Sequence, residues 1–506
     1  MSRTKSFIYN SATAALFQLC TVAAGFIVPR IILTVYGSEI NGLVTSITQF
    51  IAYFNLVEAG LAGAAVYALY KPLADKDVAG INAILSAANR FYILSGYIFV
   101  SLTLGLALIY PNFVRTAHLT PFNVGLLVLI LGVSGSLEFF TMAKYRALLT
   151  ADQKQYVLSI ASMVAIILNT LIIAILAYNH VNIVILRLVA LFSVFARSLI
   201  LYCYIRSKYK YINYRETPNN EALNKRWDAL YWQILGAVQS GAPVIIATIF
   251  LSLHMVSVYS VFNMTVGGVT VLMGIFSSGL SASFGDVIVR KEQAVLQKAY
   301  QEFELIYYVL ISWAFSCMAV MIMPFIRLYT ARVTDTNYDL PVIGFLFVLN
   351  GLLASLRNPQ GMLLISAGLY RETRWQVTIQ ALIAVVGGVI FVHFWGLAGI
   401  LLGSILSSLY RDIEVLFYIP RKLTKLRVRS TLYRMIRVFI CFGLIYWPFA
   451  QLLPKNCNLK DWLVWAGLTA MYAFFVVIKI IIFPDKQVFL GVLDRMRNLF
   501  GKKTLG

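Results

Sequence analysis

The 506-residue chain is 60% hydrophobic, 14% aromatic and only 12% charged, and its 42 Lys+Arg against 21 Asp+Glu give a formal net charge of +21. Soluble globular chains run at about 45–50% apolar and about 25% charged, which excludes an ordinary soluble domain. With apolar runs of membrane-spanning length recurring from end to end, the cation excess is a question of placement relative to a bilayer before it is a question of nucleic acid.

Runs of about 20 or more apolar residues are expected to cross a bilayer as helices. They predict spans near 7–35, 40–69, 81–110, 122–149, 156–178 and 183–205. A basic stretch at 206–228 follows, then spans near 229–252, 256–284, 300–329, 340–366, 375–395 and 397–419. A second basic stretch, 421–437, precedes the final spans near 437–453 and 462–483 and a short tail at 484–506. The expected fold is therefore all-α and polytopic, with about fourteen spans. The domain reading is an N-terminal six-helix lobe at 1–205, a basic linker at 206–228, a second six-helix lobe at 229–420, a basic linker with two extra helices at 421–483, and the tail.

The Met1-Ser2-Arg3-Thr4-Lys5 start leads into a long apolar run without a short h-region and cleavage site, so it reads as an uncleaved first span. With the N-terminus inside, 30 Lys/Arg fall in cytoplasmic segments and five in outer loops (Arg115, Arg327, Arg332, Lys455 and Lys460). That bias predicts both termini in the cytoplasm. The outer loops are short, the longest around Pro111–Pro121 and Thr330–Leu340, and leave no room for a folded outer domain. A shift of 214 positions superposes Pro29 on Pro243, Ile31 on Ile245, Ser46 on Ser260 and Gly60 on Gly274. Two halves of six spans each would be parallel repeats related by an axis along the membrane normal.

Charged side chains inside spans cost about 2.5–3.5 kcal/mol each at mid-span and normally face water or a partner. Arg30, Glu58, Arg90, Glu138, Arg197, Arg357 and Arg411 fall within spans, Arg411 close to Asp412 and Glu414. Counting along the helices places most of them in the cytoplasmic half and Arg30 nearer the outer side. Arg30, Arg90, Arg197, Arg357 and Arg411 are candidate ligands for an anionic head group, because guanidinium forks match phosphate oxygens. Their alternative role is to snorkel to the interface and anchor their helices. Glu58 and Glu138 are either counter-ions or ion-coupling carboxylates. Pro29, Pro243 and Pro359 break their helices' hydrogen bonding and are candidate hinges.

The five scattered cysteines (Cys20, Cys203, Cys317, Cys441 and Cys457) suit apolar packing, and no metal-ligand spacing or phosphate-binding Gly-rich loop occurs. No cofactor or metal is expected, and coupling to protons or sodium is left open. His118, His180, His254 and His393 map to outer span ends. The basic linkers suit a cytoplasmic face against anionic lipid better than nucleic acid.

The run Pro29-Arg30-Ile31-Ile32-Leu33-Thr34-Val35-Tyr36-Gly37-Ser38-Glu39-Ile40-Asn41-Gly42-Leu43 resembles the start of bacterial polysaccharide transporters of the lipid-linked oligosaccharide (O-antigen type) flippase family. Glu58-Ala59-Gly60-Leu61 and Tyr70-Lys71-Pro72-Leu73-Ala74 resemble that family's second span and first cytoplasmic loop, and Gly396-Leu397-Ala398-Gly399-Ile400 a turn joining two late helices. The resemblance is strongest over about 1–110. The family shares a superfamily with multidrug and toxin extruders and the lipid II flippase. It implies two six-helix bundles around a V-shaped central cavity with two further C-terminal helices. It also implies residence in the bacterial cytoplasmic (inner) membrane, alternating access, and movement of undecaprenyl-pyrophosphate-linked oligosaccharide for surface polysaccharide, including lipopolysaccharide, biosynthesis. Polysaccharide polymerase and chain-length proteins would be partners. Arg30 carries over best; under the 214 shift its counterpart is Val244, so pairing across halves would use Arg357.

On this reading the protein is not an enzyme. A cation-coupled drug exporter is the second expectation, opposed by arginines outnumbering acids in the spans. A membrane polymerase or ligase is the third, opposed by the short outer loops.

Overall fold

The computed structural model describes residues 3–58, 61–214, 216–217, 227–278, 280–452, 454 and 457–501. The Lys/Arg-rich centre of the 206–228 linker and Lys502-Lys503 lie outside the described residues. Seventeen α-helices and no strand occur among the described residues. They are α1 (Arg3–Phe54), α2 (Leu61–Asp75), α3 (Val78–Phe113), α4 (Pro121–Thr141), α5 (Ala143–Ala151) and α6 (Gln155–Tyr178). Next come α7 (Ile183–Lys208), α8 (Trp227–Phe250), α9 (Leu253–Ser278), α10 (Ser281–Val289), α11 (Gln293–Tyr329) and α12 (Pro341–Leu356). The last are α13 (Asn358–Ser366), α14 (Arg374–Ile419), α15 (Val428–Leu452), α16 (Leu459–Val477) and α17 (Lys486–Gly501).

Among the described residues, twelve helical runs are long and apolar enough to cross a membrane. Two of these, Tyr9–Glu58 and Arg374–Thr424, are 50 and 51 residues long. At about 1.5 Å per residue such a run is more than twice a bilayer's hydrocarbon thickness, so it must fold back. Each is interrupted by one glycine: Gly37 at φ 83°, ψ 176°, and Gly396 at φ 54°, ψ −127°. Only a residue without Cβ adopts these angles at low cost, so two spans can turn directly into one another without a loop. The α14 turn closes tightly. A Cβ on Gly399 would strike the Phe391 backbone, and one on Gly403 the backbone of Gly387 and Gly388. Divided at these glycines, the twelve runs become fourteen crossings, the number the hydropathy predicted.

The expected single spans at 40–69, 122–149, 256–284 and 340–366 are instead broken. After Phe54 the chain tightens into a 3₁₀ turn over Asn55–Glu58 before α2. Met142 (φ −117°, ψ −30°) separates α4 from α5, and Arg357 (φ −81°, ψ −6°) separates α12 from α13. Leu280 precedes α10. Hydropathy alone cannot see these breaks, because the short helices after them remain partly apolar. The short helices pack in pairs, α2 with α5 and α10 with α13.

The chain divides into two compact units, Met1–Ser260 and Val261–Gly506, with the division inside α9. In the first, α6 runs along α1, as Asn10 meets Gln153 and Tyr156 at one end and Tyr36 bonds the Val181 carbonyl at the other. The core there is aliphatic and aromatic, centred on Leu43, Ile47, Leu85, Tyr92 and Phe99. In the second unit α11 is the spine against which α12, α15 and α16 pack.

Pro29 and Pro243 lie inside the continuous helical stretches of α1 and α8. Pro359 stands in the first turn of α13, directly after the Arg357 break, where its missing N–H costs nothing.

Candidate functional site

Each unit contains a compact set of intramembrane charges gathered at a helix break. In the first, the 3₁₀ turn after α1 presents Glu58, the last turn of α4 presents Glu138, and the first turn of α5 presents Arg146. The Arg146 guanidinium forks, with Nη2 bonded to Glu58 Oε1 and Nη1 lying 3.2 Å from Glu138 Oε1. Arg197 of α7 donates from Nη2 to the same Glu138 oxygen at 2.8 Å and from Nε to Met142 Sδ at 3.0 Å. Tyr92 is buried beside the Glu58–Arg146 pair.

In the second unit, the break at Arg357 faces the second half of α14. Arg357 Nη1 lies 3.7 Å from Asp412 Oδ1, and neither atom makes a hydrogen bond among the described residues. Next along α14, Arg411 pairs with Glu414 one turn on. Arg411 and Asp412 are both buried. The break is held by neighbours: Asn358 Nδ2 donates to the Tyr307 hydroxyl at 2.6 Å, and the Tyr308 hydroxyl donates to the Leu356 carbonyl at 3.2 Å.

Two arginines thus meet two acids in each cluster. The sequence reading, in which cations outnumber acids, missed Arg146, which counts there only among the cytoplasmic cations at the end of the expected 122–149 span, and it left Asp412 and Glu414 only as neighbours of Arg411. A hydropathy profile gives no sign of the backbone break that swings Arg146 toward Glu58. Arg30 and Arg90 are brought into neither cluster and lie on exposed faces of α1 and α3. Pro243 is buried in α8, where a Cβ on neighbouring Gly241 would strike Gln49 and Tyr53. No group of three or more His, Cys, Asp or Glu that could hold a metal occurs among the described residues.

With this arrangement the chain is similar in fold to solved transporters. One is a multidrug-resistance MATE-family transporter of the MOP superfamily in an inward-facing conformation (TM-score 0.68, 14% identity, covering 79% of this chain and 95% of that one). Another is the lipid II flippase MurJ in an inward closed conformation (TM-score 0.70, 14% identity, 94% of this chain and 99% of that one). A third is an outward-facing MATE transporter (TM-score 0.59, 15% identity, 84% and 96%). The fold is theirs. No family model and no curated protein matches the sequence. The chain is a multi-pass membrane protein with a transporter fold; at these identities the likeness extends to architecture and no further.

Proposed function

We propose that the protein is a flippase that moves a polyprenyl-pyrophosphate-linked oligosaccharide from the inner to the outer leaflet of the bacterial cytoplasmic membrane by alternating access. The observation that carries this reading is the extent of the fold likeness. It covers 94% of the chain for the lipid II flippase and 79% and 84% for the inward-facing and outward-facing MATE transporters. The resemblance of residues 29–43 to oligosaccharide-lipid transporters points to the same substrate class. Arg30 and Arg90, on exposed faces of spanning helices, are the cations assigned to the pyrophosphate. Arg197, Arg357 and Arg411 are already engaged with carboxylates, so they would bind substrate only by exchanging those partners. Deleting the gene should make lipid-linked glycan accumulate in the inner leaflet, and Arg30→Ala should reproduce this at unchanged protein abundance. Normal surface polysaccharide in the deletion strain overturns the reading.

One observation favours a second reading, a cation-coupled drug exporter. Asp412 is buried with both carboxylate oxygens lacking hydrogen bonds among the described residues, a group suited to taking up a proton or sodium ion. Under that reading Asp412→Asn abolishes ion-driven drug efflux and leaves glycan export intact.

A further inference from the structure

Two cavities on the first unit that share two lining tyrosines make a groove apolar at one end and cationic at the other. Its apolar part, about 520 Å³, is lined by Phe140, Lys144, Phe192, Phe195 and Leu199 along α4, α5 and α7. Its polar part, about 440 Å³, is lined by Tyr145, Tyr202, Arg206, Tyr209, Lys210 and Tyr214. Tyr145 and Tyr202 line both.

Lys144 and Arg206 have aromatic neighbours, while the Tyr209 hydroxyl on the groove wall donates to Asp152 and accepts from Lys154 Nζ at 3.0 Å. Lys144 Nζ stands 4.6 Å from the centre of the Tyr214 ring and 5.4 Å from that of Tyr145. Arg206 Nη1 donates to the Tyr202 hydroxyl at 2.9 Å. Among the described residues neither of them, nor Lys210, forms an ion pair with a carboxylate. The Tyr214 hydroxyl is buried with no hydrogen-bond partner among the described residues, so Tyr214 serves the cavity through its ring. Phe192, Phe195 and Leu199 are 62%, 51% and 61% exposed on a helix that crosses the membrane.

The dimensions suit one lipid leaflet. From Phe195 or Phe192 to Arg206 is eleven to fourteen residues of α7, or about 16–21 Å at helical rise. Half the hydrocarbon core is about 15 Å. A chain lying over the phenylalanines therefore reaches a head group at the depth of Lys144, Arg206 and Lys210.

We infer that this groove binds an anionic glycerophospholipid, its phosphate held by Lys144, Arg206, Lys210 and the Tyr202 hydroxyl, and one acyl chain lying against Phe192, Phe195 and Leu199. The cluster of cations and phenol donors complements a phosphodiester, and the apolar arm complements a hydrocarbon chain. The site shares no residue with the charge cluster of the first unit and does not depend on the flippase reading.

The test uses the full-length protein purified and placed in phosphatidylcholine nanodiscs with or without phosphatidylglycerol, with co-retained lipid counted by native mass spectrometry. Wild type should retain phosphatidylglycerol over phosphatidylcholine. Each cation replaced (Lys144→Gln, Arg206→Gln, Lys210→Gln) should weaken that preference about fivefold. Arg115→Gln, in the connection before α4 and the length of that helix away from Lys144, should leave it unchanged. If the Arg206→Gln or Lys210→Gln variant does not accumulate, Lys144→Gln alone is measured against Lys144→Arg, which should retain the preference. The inference fails if Arg115→Gln lowers the preference equally, or if Lys144→Gln has no effect. It also fails if geranylgeranyl pyrophosphate displaces the phosphatidylglycerol, which would make the groove a polyprenyl site.

Discussion

Arg434 offers the sharpest quantitative test of how this chain uses its positive charge, because the sequence places it in the basic segment 421–437 and the structure buries it. On α15 it is paired at 2.7 Å with Glu304 of α11, the two side chains being 4% and 1% exposed. Glu304 also accepts from Tyr300 at 2.8 Å and Thr431 at 2.9 Å, while Arg434 reaches Asp485 at 3.3 Å. Removing one member of a buried pair leaves an uncompensated charge and costs about 3–5 kcal/mol. The hydroxyls of Tyr300 and Thr431 still satisfy Glu304 in part, so Arg434→Met should fall near the lower bound, about 3 kcal/mol. For a unit of roughly 250 residues that is a fall of about 6 °C in the midpoint of thermal unfolding. Glu304→Gln should cost less, since Arg434 keeps Asp485 and the amide oxygen still accepts both hydroxyls. The double variant Glu304→Gln/Arg434→Met has no stranded charge and should recover at least half of the Arg434→Met loss. Differential scanning fluorimetry on the four purified proteins measures the cycle. Additive losses, or a fall below 1 °C for Arg434→Met, would show that Arg434 is a solvated topological cation after all.

Three further outcomes are expected. Gly396→Ala forces a side chain into φ 54°, ψ −127°, and the strain of about 1–3 kcal/mol should lower membrane abundance, whereas Gly467→Ala, with open space around it, should not. Arg146→Gln should abolish transport by stranding Glu58, and Glu58→Gln in the same chain should restore part of it; no restoration in a transport assay would mean that Arg146 acts on substrate directly. Phosphatidylglycerol preference should decline with rising pH before an exposed lysine titrates, because burial lowers the Lys144 pKa. The ammonium is fully charged below that pKa and neutral above it, so Lys144→Arg should make the preference independent of pH across the same range.

The sequence alone determined what depends on solvent partition. Apolar runs set the number of crossings, and the short connections at 114–120 and 330–340 emerge where the hydropathy placed them. Gly37 and Gly396 were also legible, each standing between two apolar runs too long to be one span. The local turn is a property of the residue itself, which lacks a Cβ.

Tertiary structure decided where charge goes. Glu58 and Arg146 are 88 positions apart, Arg197 and Glu138 are 59, and Arg434 and Glu304 are 130. These pairs form because helix breaks at 55–58 and Met142, and the packing of α15 on α11, bring distant turns together. A hydropathy profile averages over such breaks, and no local pattern marks which surplus arginine will meet an acid. Arg146 and Arg434 therefore read as topological cations in the linear chain and are buried partners of carboxylates in the folded one, because ion pairing inside a membrane is settled by three-dimensional proximity and low dielectric.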